Sequence, residues 1–362
     1  MKKMCFFIPS IDSGGIETYL LRFVRYVAGR INITVVVRSS NEHGELLKDY
    51  LSTDVKLVFM PLGYFSISGM RNYYHFFKIN KFDSICDFTG NFAGLIVLLA
   101  TLTKIKNRIV FYRSGSNHYP PTIVNDIYNY LSNKLVLMFA NQILANSKAG
   151  LHFFFPKQKG KVNKKFCVIR NGIEEKSLDY KVDKINMLAK FDLTPGAYII
   201  VHSGRLDKSK NHQTILKVAQ EIISRNSNIY LVLCGKNTET LQKVVDNMGI
   251  TKNVRLLGYR NDVLDILKSA DLFFFPSVTE GQPNALIEAM CLGLPIVASD
   301  IEPIKECVPD NLIFQLANPY DVDKFISIIE SSIDSENSLD CSEWAKMQFS
   351  ASKNFELFYN CL

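Results

Sequence analysis

The stretch Phe275-Pro276-Ser277-Val278-Thr279-Glu280-Gly281-Gln282-Pro283-Asn284-Ala285-Leu286-Ile287-Glu288-Ala289 decides the fold. An apolar run, 272–276, ends in a loop punctuated by Gly281 and Pro283, and a helical apolar spacing begins over 284–291. Proline suits the first turn of a helix, where its missing N–H has no acceptor to satisfy. The apolar run does not alternate with polar residues, so it reads as a strand covered on both faces. Together these features make one β-loop-α unit of a parallel sheet.

The same unit recurs outward in both directions. In the second half, 198–202, 230–234, 255–257 and 295–298 read as further strands, with helices at 212–224, 239–247 and 320–332. In the first half the strand runs are 4–8, 33–37, 56–60, 84–88, 108–112, 142–145 and 167–169, with helices at 17–28 and 122–140. The polar stretch 176–195 reads as the junction. Two successive βα arrays predict an α/β protein of two doubly wound domains, 1–175 and 176–342. In such sheets ligands bind beyond the carboxyl ends of the strands.

Of the 362 residues, 47% are apolar and 21% charged, which excludes disorder and fibrous repeats. The longest clean apolar stretch, 93–102, is about half of the ~20 residues a membrane-spanning helix needs. The opening MKKMCFFIPS reads as a first buried strand and not as a signal peptide, because its apolar run breaks at Pro9. The eight cysteines (5, 86, 167, 234, 291, 307, 341, 361) show no CxxC spacing and read as reduced, buried small hydrophobes, with no zinc site.

Charge is uneven: residues 1–175 hold 23 Lys and Arg against 11 Asp and Glu, and the remainder 19 against 24. The basic half is therefore expected to face something anionic. The lysines at 157, 159, 161, 164 and 165 sit beside Phe153, Phe154 and Phe155, a composition suited to an anionic lipid surface. No zinc-finger or RNP-type signature accompanies them, so nucleic acid is not expected as a partner.

Three post-strand segments carry chemistry. Ser10 to Glu17 places Gly14 and Gly15 before a helix, where bare backbone can approach a phosphate, although the spacing is not GxGxxG. His202 to Asn211 contains Gly204, Arg205 and Lys210; an Arg fork and a Lys point charge can neutralise a diphosphate without a metal. The third is the opening stretch, where Glu280 lies in the loop and Glu288 more than one turn inside the helix. There the amides of Asn284, Ala285 and Leu286 would point at an anion. A further triplet, Asp321-Val322-Asp323, has the DxD form of a metal site but falls at a helix start, where acids are expected anyway.

These motifs, in this order, resemble the GT-B glycosyltransferases of the retaining glycosyltransferase group 1 family, often called family 4. The resemblance rests on Gly14, Gly15 and Glu17; Asn146-Ser147; Asn171-Gly172-Ile173; Gly204, Arg205 and Lys210; and the Glu280-x7-Glu288 pair. It implies two facing Rossmann-like domains, with a last helix, 343–362, crossing back to the first. It further implies that Arg205 and Lys210 hold the donor diphosphate, that Glu280 and Gly281 meet the donor sugar and Glu288 the ribose, and that Gly258-Tyr259-Arg260 border the base. Many relatives carry a histidine after the fifth strand of the first domain. Here Arg113 stands at that spot and His118 follows five residues later, and the role is not assigned between them.

The activity so implied is retaining transfer of a hexose from a nucleoside-diphosphate sugar, UDP being the usual family choice, to a saccharide. A lipid-diphosphate-linked oligosaccharide of bacterial O-antigen or capsule synthesis is the expected acceptor. No cofactor or metal is expected for donor binding. The expected location is the cytoplasm, peripheral on the inner face of the plasma membrane. A GT-B sugar-nucleotide epimerase and a non-catalytic nucleotide-sugar-binding subunit are the alternatives, and the intact Glu280-x7-Glu288 and Gly204-Arg205…Lys210 motifs favour transfer over both.

Overall fold

Strand β1 (Lys3–Ile8) alternates its side chains between two separate cores: Met4, Phe6 and Ile8 on one side, Cys5 and Phe7 on the other. Both faces must be covered, and a parallel sheet flanked by helices does that. The computed structural model describes residues 1–62, 66–117, 122–158, 164–174, 178–334 and 340–362.

The first unit comprises Met1–Gly172 and Ala351–Leu362, the second Ile173–Ser350. In the first, β1, β2 (Asn32–Val37), β3 (Lys56–Phe59), β4 (Ser84–Asp87), β5 (Asn107–Tyr112), β6 (Gln142–Ala145) and β7 (Phe166–Val168) alternate with α1 (Gly15–Tyr26), α2 (Leu47–Leu51), α3 (Ile67–Asn80), α4 (Gly94–Leu102), α5 (Ile123–Phe139) and α6 (Lys148–Phe154). Every pairing is parallel and the strand order is β3-β2-β1-β4-β5-β6-β7. The order reverses between β1 and β4, which opens a crevice beyond their carboxyl ends.

The second unit runs α7 (Lys184–Lys190), β8 (Tyr198–Ser203), α8 (His212–Arg225), β9 (Ile229–Cys234), α9 (Gln242–Asn247), β10 (Val254–Leu256), α10 (Val263–Ser269), β11 (Leu272–Phe275), α11 (Asn284–Cys291), β12 (Ile296–Ser299), α12 (Glu302–Lys305), β13 (Leu316–Ala317), α13 (Val322–Asp334) and α14 (Ser342–Gln348). Its strand order, β10-β9-β8-β11-β12-β13, reverses between β8 and β11. The strand β11 repeats the two-sided pattern: Phe273 and Phe275 join one core, Leu272 and Phe274 the other. The chain is thus two doubly wound α/β units of the GT-B class.

The expected junction 176–195 is structured. Leu178, Met187, Leu188 and Leu193 are buried in the core of the second unit, and α7 lies within the stretch; residues 175–177 fall outside the described ones. The expected single helix 343–362 is two: α14, and α15 (Ala351–Tyr359). Phe349 ends α14 because its ring is fully buried in the second unit, and its carbonyl accepts the Ile173 N–H at 2.8 Å. Within the first unit Gly172 meets Ala351 so closely that a Cβ on it would lie 2.6 Å from the Ala351 Cα.

Helix α15 then completes an aromatic core. Phe358 lies 4.5 Å from Phe23, 5.3 Å from Phe111 and 6.3 Å from Phe6 between ring centroids, and Phe355 lies 5.4 Å from Tyr19. Each fully buried Phe of this kind contributes about 1.5–3 kcal/mol. The thiols are all free, and six are buried as expected. Cys167, on the edge strand β7, is exposed and Cys361 half-exposed, because nothing pairs beyond the last strand of the sheet.

Candidate functional site

In the second unit the loops after β8 and β11 flank the reversal point. They are laced together: Val278 N–H donates to Ser209 O at 2.8 Å, and Asn211 Nδ2 donates to Pro276 O at 3.1 Å and Pro319 O at 2.7 Å. Asn211 adopts the left-handed conformation (φ 57°) that asparagine tolerates, and so turns the chain into α8. The lacing brings Lys210 against Glu280, Nζ to Oε1 at 2.5 Å, with side chains only 19% and 10% exposed. The Lys210 ammonium also lies 4.9 Å from the Phe275 ring centroid.

Helix α11 starts immediately after this loop. Its first backbone bond runs from Ile287 N–H to Pro283 O at 3.2 Å, so the N–H groups of Asn284, Ala285 and Leu286 have no intrahelical acceptor. The Leu286 side chain is fully buried in the core, which makes its expected role one of backbone alone. Glu288 is half-buried on the second turn, and Gly281 is half-buried in the loop. Arg205 is exposed and makes no ion pair among the described residues, while Asp207 caps the turn to Lys210 by accepting from Ser209 N–H at 2.8 Å. That bond holds the Asp207 carboxyl below its usual range, with Arg205 and Lys210 adding to it.

Glycines set how closely the β8 and β9 loops approach. Gly235 (φ +150°) packs on the Gly204-Arg205 peptide, where an added Cβ would stand 2.1 Å from Gly204 O. Gly258 (φ +62°) takes the left-handed turn after β10, donates to Thr238 Oγ1 at 3.1 Å and leads into Tyr259, 53% exposed. A Cβ on Gly204 would lie 3.2 Å from the Lys210 stem and 3.0 Å from His202 Nε2. His202 stacks edge-on to His212 at 5.1 Å and shares a bond between Nδ1 and Phe274 O at 2.9 Å. Burial drives His202 well below the ordinary imidazole value and, with the Lys210 charge, pushes His212 down to about 4. Both rings are neutral at pH 7, so the positive charge here belongs to Arg205 and Lys210.

In the first unit Gly14 caps α1 in extended conformation, and Glu17 folds back over it. A Cβ on Gly14 would sit 2.4 Å from Glu17 Oε2, whereas open space surrounds the Gly15 position. Burial pushes the Glu17 carboxyl up to about 7, against the opposing pull of its own and the Ser10 N–H and of Arg113. Arg113, after β5, is not a free cation: Nη2 donates to Asn171 Oδ1 at 2.5 Å and the guanidinium lies 3.6 Å above the Tyr19 ring centroid. Its Nε and Nη1, and Asn146 Oδ1, are buried without hydrogen-bond partners, and burial lowers the Arg113 value to about 10. His118 lies outside the described residues.

Sequence reasoning missed several groups at these edges. Asp87, the last residue of β4, is fully buried, bonded to Thr89 and 3.8 Å from Arg38; Asn91 Nδ2 donates to Asn117 at 2.7 Å and Asn129 at 3.1 Å. Gly235 was equally hidden. Their common signal is position, a polar residue or glycine just past an apolar run. The helix-start reading of Asp321 agrees with the structure, while the aromatic reading of 153–155 changes. Asp321 caps α13 by accepting from Lys324 N–H at 3.0 Å. Of Phe153, Phe154 and Phe155 only the first is exposed, since Phe154 packs at 4.6 Å on Tyr112 and Phe155 is buried; Lys159 and Lys161 lie outside the described residues. Among the described residues there is no cluster of three or more His, Cys, Asp or Glu side chains that could hold a metal ion, and no helix long and apolar enough to cross a membrane.

Residues 183–347, nearly all of the second unit, match the family described as Glycosyl transferases group 1. Over 171 residues the chain is 31% identical to the Escherichia coli UDP-Gal:alpha-D-GlcNAc-diphosphoundecaprenol alpha-1,3-galactosyltransferase, which covers 46% of this chain and 44% of that relative. The Staphylococcus aureus capsular polysaccharide biosynthesis glycosyltransferase CapH is 26% identical over 84% of this chain and 83% of its own. The crystal structure of Anabaena Alr3699/HepE in complex with UDP-glucose superposes with a TM-score of 0.83 at 17% identity, over 99% of both chains. The second unit is thus similar in sequence to the group 1 glycosyltransferases, relatives that match the chain are glycosyltransferases of capsule and undecaprenol-linked saccharides, and the two-unit fold is shared with the Anabaena structure.

Proposed function

We propose that the chain transfers a hexose from a UDP-sugar to a saccharide hydroxyl with retention, as a family 4 enzyme of bacterial surface polysaccharide synthesis. The acceptor in this reading is a lipid-diphosphate-linked saccharide. The observation that carries it is the Lys210–Glu280 pair set at the β8/β11 reversal beside the first turn of α11. The named relatives act in the same chemistry, one with UDP-Gal on a diphosphoundecaprenol acceptor.

Cleaving the anomeric bond leaves negative charge on the β-phosphate. Lys210, Arg205 and the amides of 284–286 are the groups that would receive it, with no metal required. Lysine has three donors, so Nζ can keep Glu280 and still reach a phosphate oxygen. Glu280, held by Lys210, would accept from the sugar hydroxyls, and Glu288 from the vicinal hydroxyls of the ribose. Tyr259 offers an exposed ring beside which the base would lie. The cation-rich first unit would take the acceptor.

A thermal-shift panel of UDP, UDP-glucose, UDP-galactose, UDP-N-acetylglucosamine, GDP-mannose and NAD tests the donor class. At 100 times its dissociation constant a ligand stabilises by about 2.7 kcal/mol. For a unit of this size that is a rise of about 5–10 °C. Absence of a shift with every UDP compound would sink the reading, and NMR of the product's anomeric centre decides retention.

A further inference from the structure

Two of the eight thiols stand apart from the rest. Six are buried, whereas Cys167 is exposed and Cys361 half-exposed. One lies on the edge strand β7, the other just past α15, and the register of the sheet brings them together. Phe111 pairs with Leu144 and Leu144 with Cys167, and partners in register point to the same side of a sheet. Phe111 and Leu144 belong to the core that Phe355 and Phe358 of α15 complete, and Cys361 packs against that core. Cys167 therefore continues the row of Phe111 and Leu144 out to the open edge, on the side where Cys361 arrives.

The two side chains are hydrogen-bonded, the Cys361 S–H donating to the Cys167 sulfur. Backbone bonds hold Cys361 in place. Its N–H donates to Phe358 O at 3.0 Å, and the neighbouring Leu362 O accepts from Ser84 Oγ at 2.8 Å and Asn107 Nδ2 at 3.1 Å. The bond from Cys361 lowers the Cys167 thiol to about 7, against the opposing effect of burial, and raises the Cys361 thiol in turn. Near neutral pH the exposed sulfur thus carries thiolate and its neighbour stays a thiol. A reachable thiolate nucleophile beside a second thiol that can resolve its oxidised form is the arrangement of a redox-active pair. Cys86, a third thiol on this side of the sheet, is fully buried, and burial pushes its value up, so it does not compete. Among the described residues no third His, Cys, Asp or Glu joins the pair into a group that could hold a metal ion.

We infer that Cys167 and Cys361 form a modification site that a hydroperoxide oxidises to an internal disulfide, stapling the returning segment 351–362 to strand β7. The Cys167 thiolate attacks the terminal peroxide oxygen and the O–O bond breaks. Cys167 becomes a sulfenic acid, and the departing alkoxide or hydroxide takes up the proton that the thiol released. The Cys361 sulfur then attacks the Cys167 sulfur, the S–O bond breaks, and water leaves with the Cys361 proton. Two thiols are oxidised by two electrons in all, and one hydroperoxide is reduced to an alcohol, or to water, plus water. A small dithiol reverses the change by exchange. The disulfide closes a loop that contains the whole sequence of the second unit, and so fastens covalently what aromatic packing otherwise holds. The inference does not depend on the identity of the sugar donor or acceptor.

The test treats the reduced full chain with hydrogen peroxide in small molar excess, followed by peptide mapping without reductant. The wild type is expected to yield a linked peptide pair holding Cys167 and Cys361, and dithiothreitol should release it. Its melting temperature should rise on oxidation by about 5 °C or more and fall back on reduction. Cys361→Ser should form no link and instead accumulate a Cys167 sulfenic acid that dimedone traps. Cys167→Ser should leave Cys361 unoxidised under the same conditions. The pH midpoint for alkylation of Cys167 by iodoacetamide should move up in Cys361→Ser toward the ordinary thiol value of about 8.5, which a merely structural contact would not cause. The proposal is overturned if the oxidised wild type contains no Cys167–Cys361 link, or if Cys167 instead joins two copies of the chain. It is equally overturned if dimedone traps Cys167 as fully in the wild type as in Cys361→Ser, or if the linked chain melts no higher than the reduced one.

Discussion

Replacing Lys210 by methionine keeps most of the side-chain volume and removes the charge. Glu280, 10% exposed, is then left with a carboxylate that has lost its cation at 2.5 Å. Breaking a fully buried pair costs about 3–5 kcal/mol, and a surface pair about 0–1. At 19% and 10% exposure this pair lies between those limits, nearer the buried one, so Lys210→Met should cost about 2–3 kcal/mol. For a unit of this size that lowers the melting temperature by about 5–10 °C. The double variant Lys210→Met/Glu280→Gln removes the stranded charge and should recover at least half of the loss. Activity should behave otherwise. Both variants lack a donor to the leaving phosphate, so kcat for transfer from a UDP-sugar should fall by about 10²–10³ in each. The assay is calorimetry alongside UDP release in the presence of acceptor. If Lys210→Met retains kcat within threefold, or if the double variant regains both stability and turnover, then Lys210 does not serve the leaving group and the site is misread.

Gly235→Ala should destabilise the second unit by at least about 3 kcal/mol, since its Cβ meets fixed backbone at Gly204 and the φ of +150° is strained as well. Gly258→Ala, whose Cβ meets only the mobile end of Glu239, should cost about 1 kcal/mol; equal melting temperatures for the two would contradict the packing described. Glu17→Gln should reveal a pH dependence. The folded carboxyl, pushed up to about 7, keeps its proton where the unfolded one has lost it, so wild-type stability declines as pH rises from about 4.5 to 7. The variant should match wild type at pH 4.5 and exceed it by up to about 3 kcal/mol at pH 8; a pH-independent difference would refute the burial argument. Arg205→Ala should leave the melting point within the scatter of about 0.5 kcal/mol usual for exposed sites, yet lower transfer at least about 10²-fold, measured as UDP release.

Strands were legible because both faces of each sheet are buried. Runs such as 143–145 and 272–275 are apolar at every position and need no alternation to be seen. The helix 284–291 was equally plain, with Pro283 before it. What stayed hidden is what depends on distant backbone. Nothing local to Gly235 says that the Gly204 carbonyl lies against it, and nothing in Lys210 names Glu280, 70 residues on, as its partner. The last helix was expected as one because the resemblance implies a single returning helix over 343–362, with Phe349 and Phe355 both on it. Only the fold shows that they belong to different cores. In α5 periodicity revealed two faces but not which one turns outward, since that choice is made by Ser132, Asn129 and Asn133 finding partners on neighbouring elements.

The return of α15 has a consequence for biosynthesis. Phe355 and Phe358 fill the aromatic centre of the first unit, and the Leu362 carbonyl accepts from Ser84 Oγ at 2.8 Å and Asn107 Nδ2 at 3.1 Å. A ribosome releases residues in order, so the unit begun first has its keystone delivered after the other is complete. The nascent amino-terminal sheet must wait, with an open hydrophobic socket between β1 and α1, until residues 351–362 clear the exit tunnel. A fragment ending at Gly172 would keep that socket permanently and should require a chaperone or a supplied α15 peptide to stay in solution.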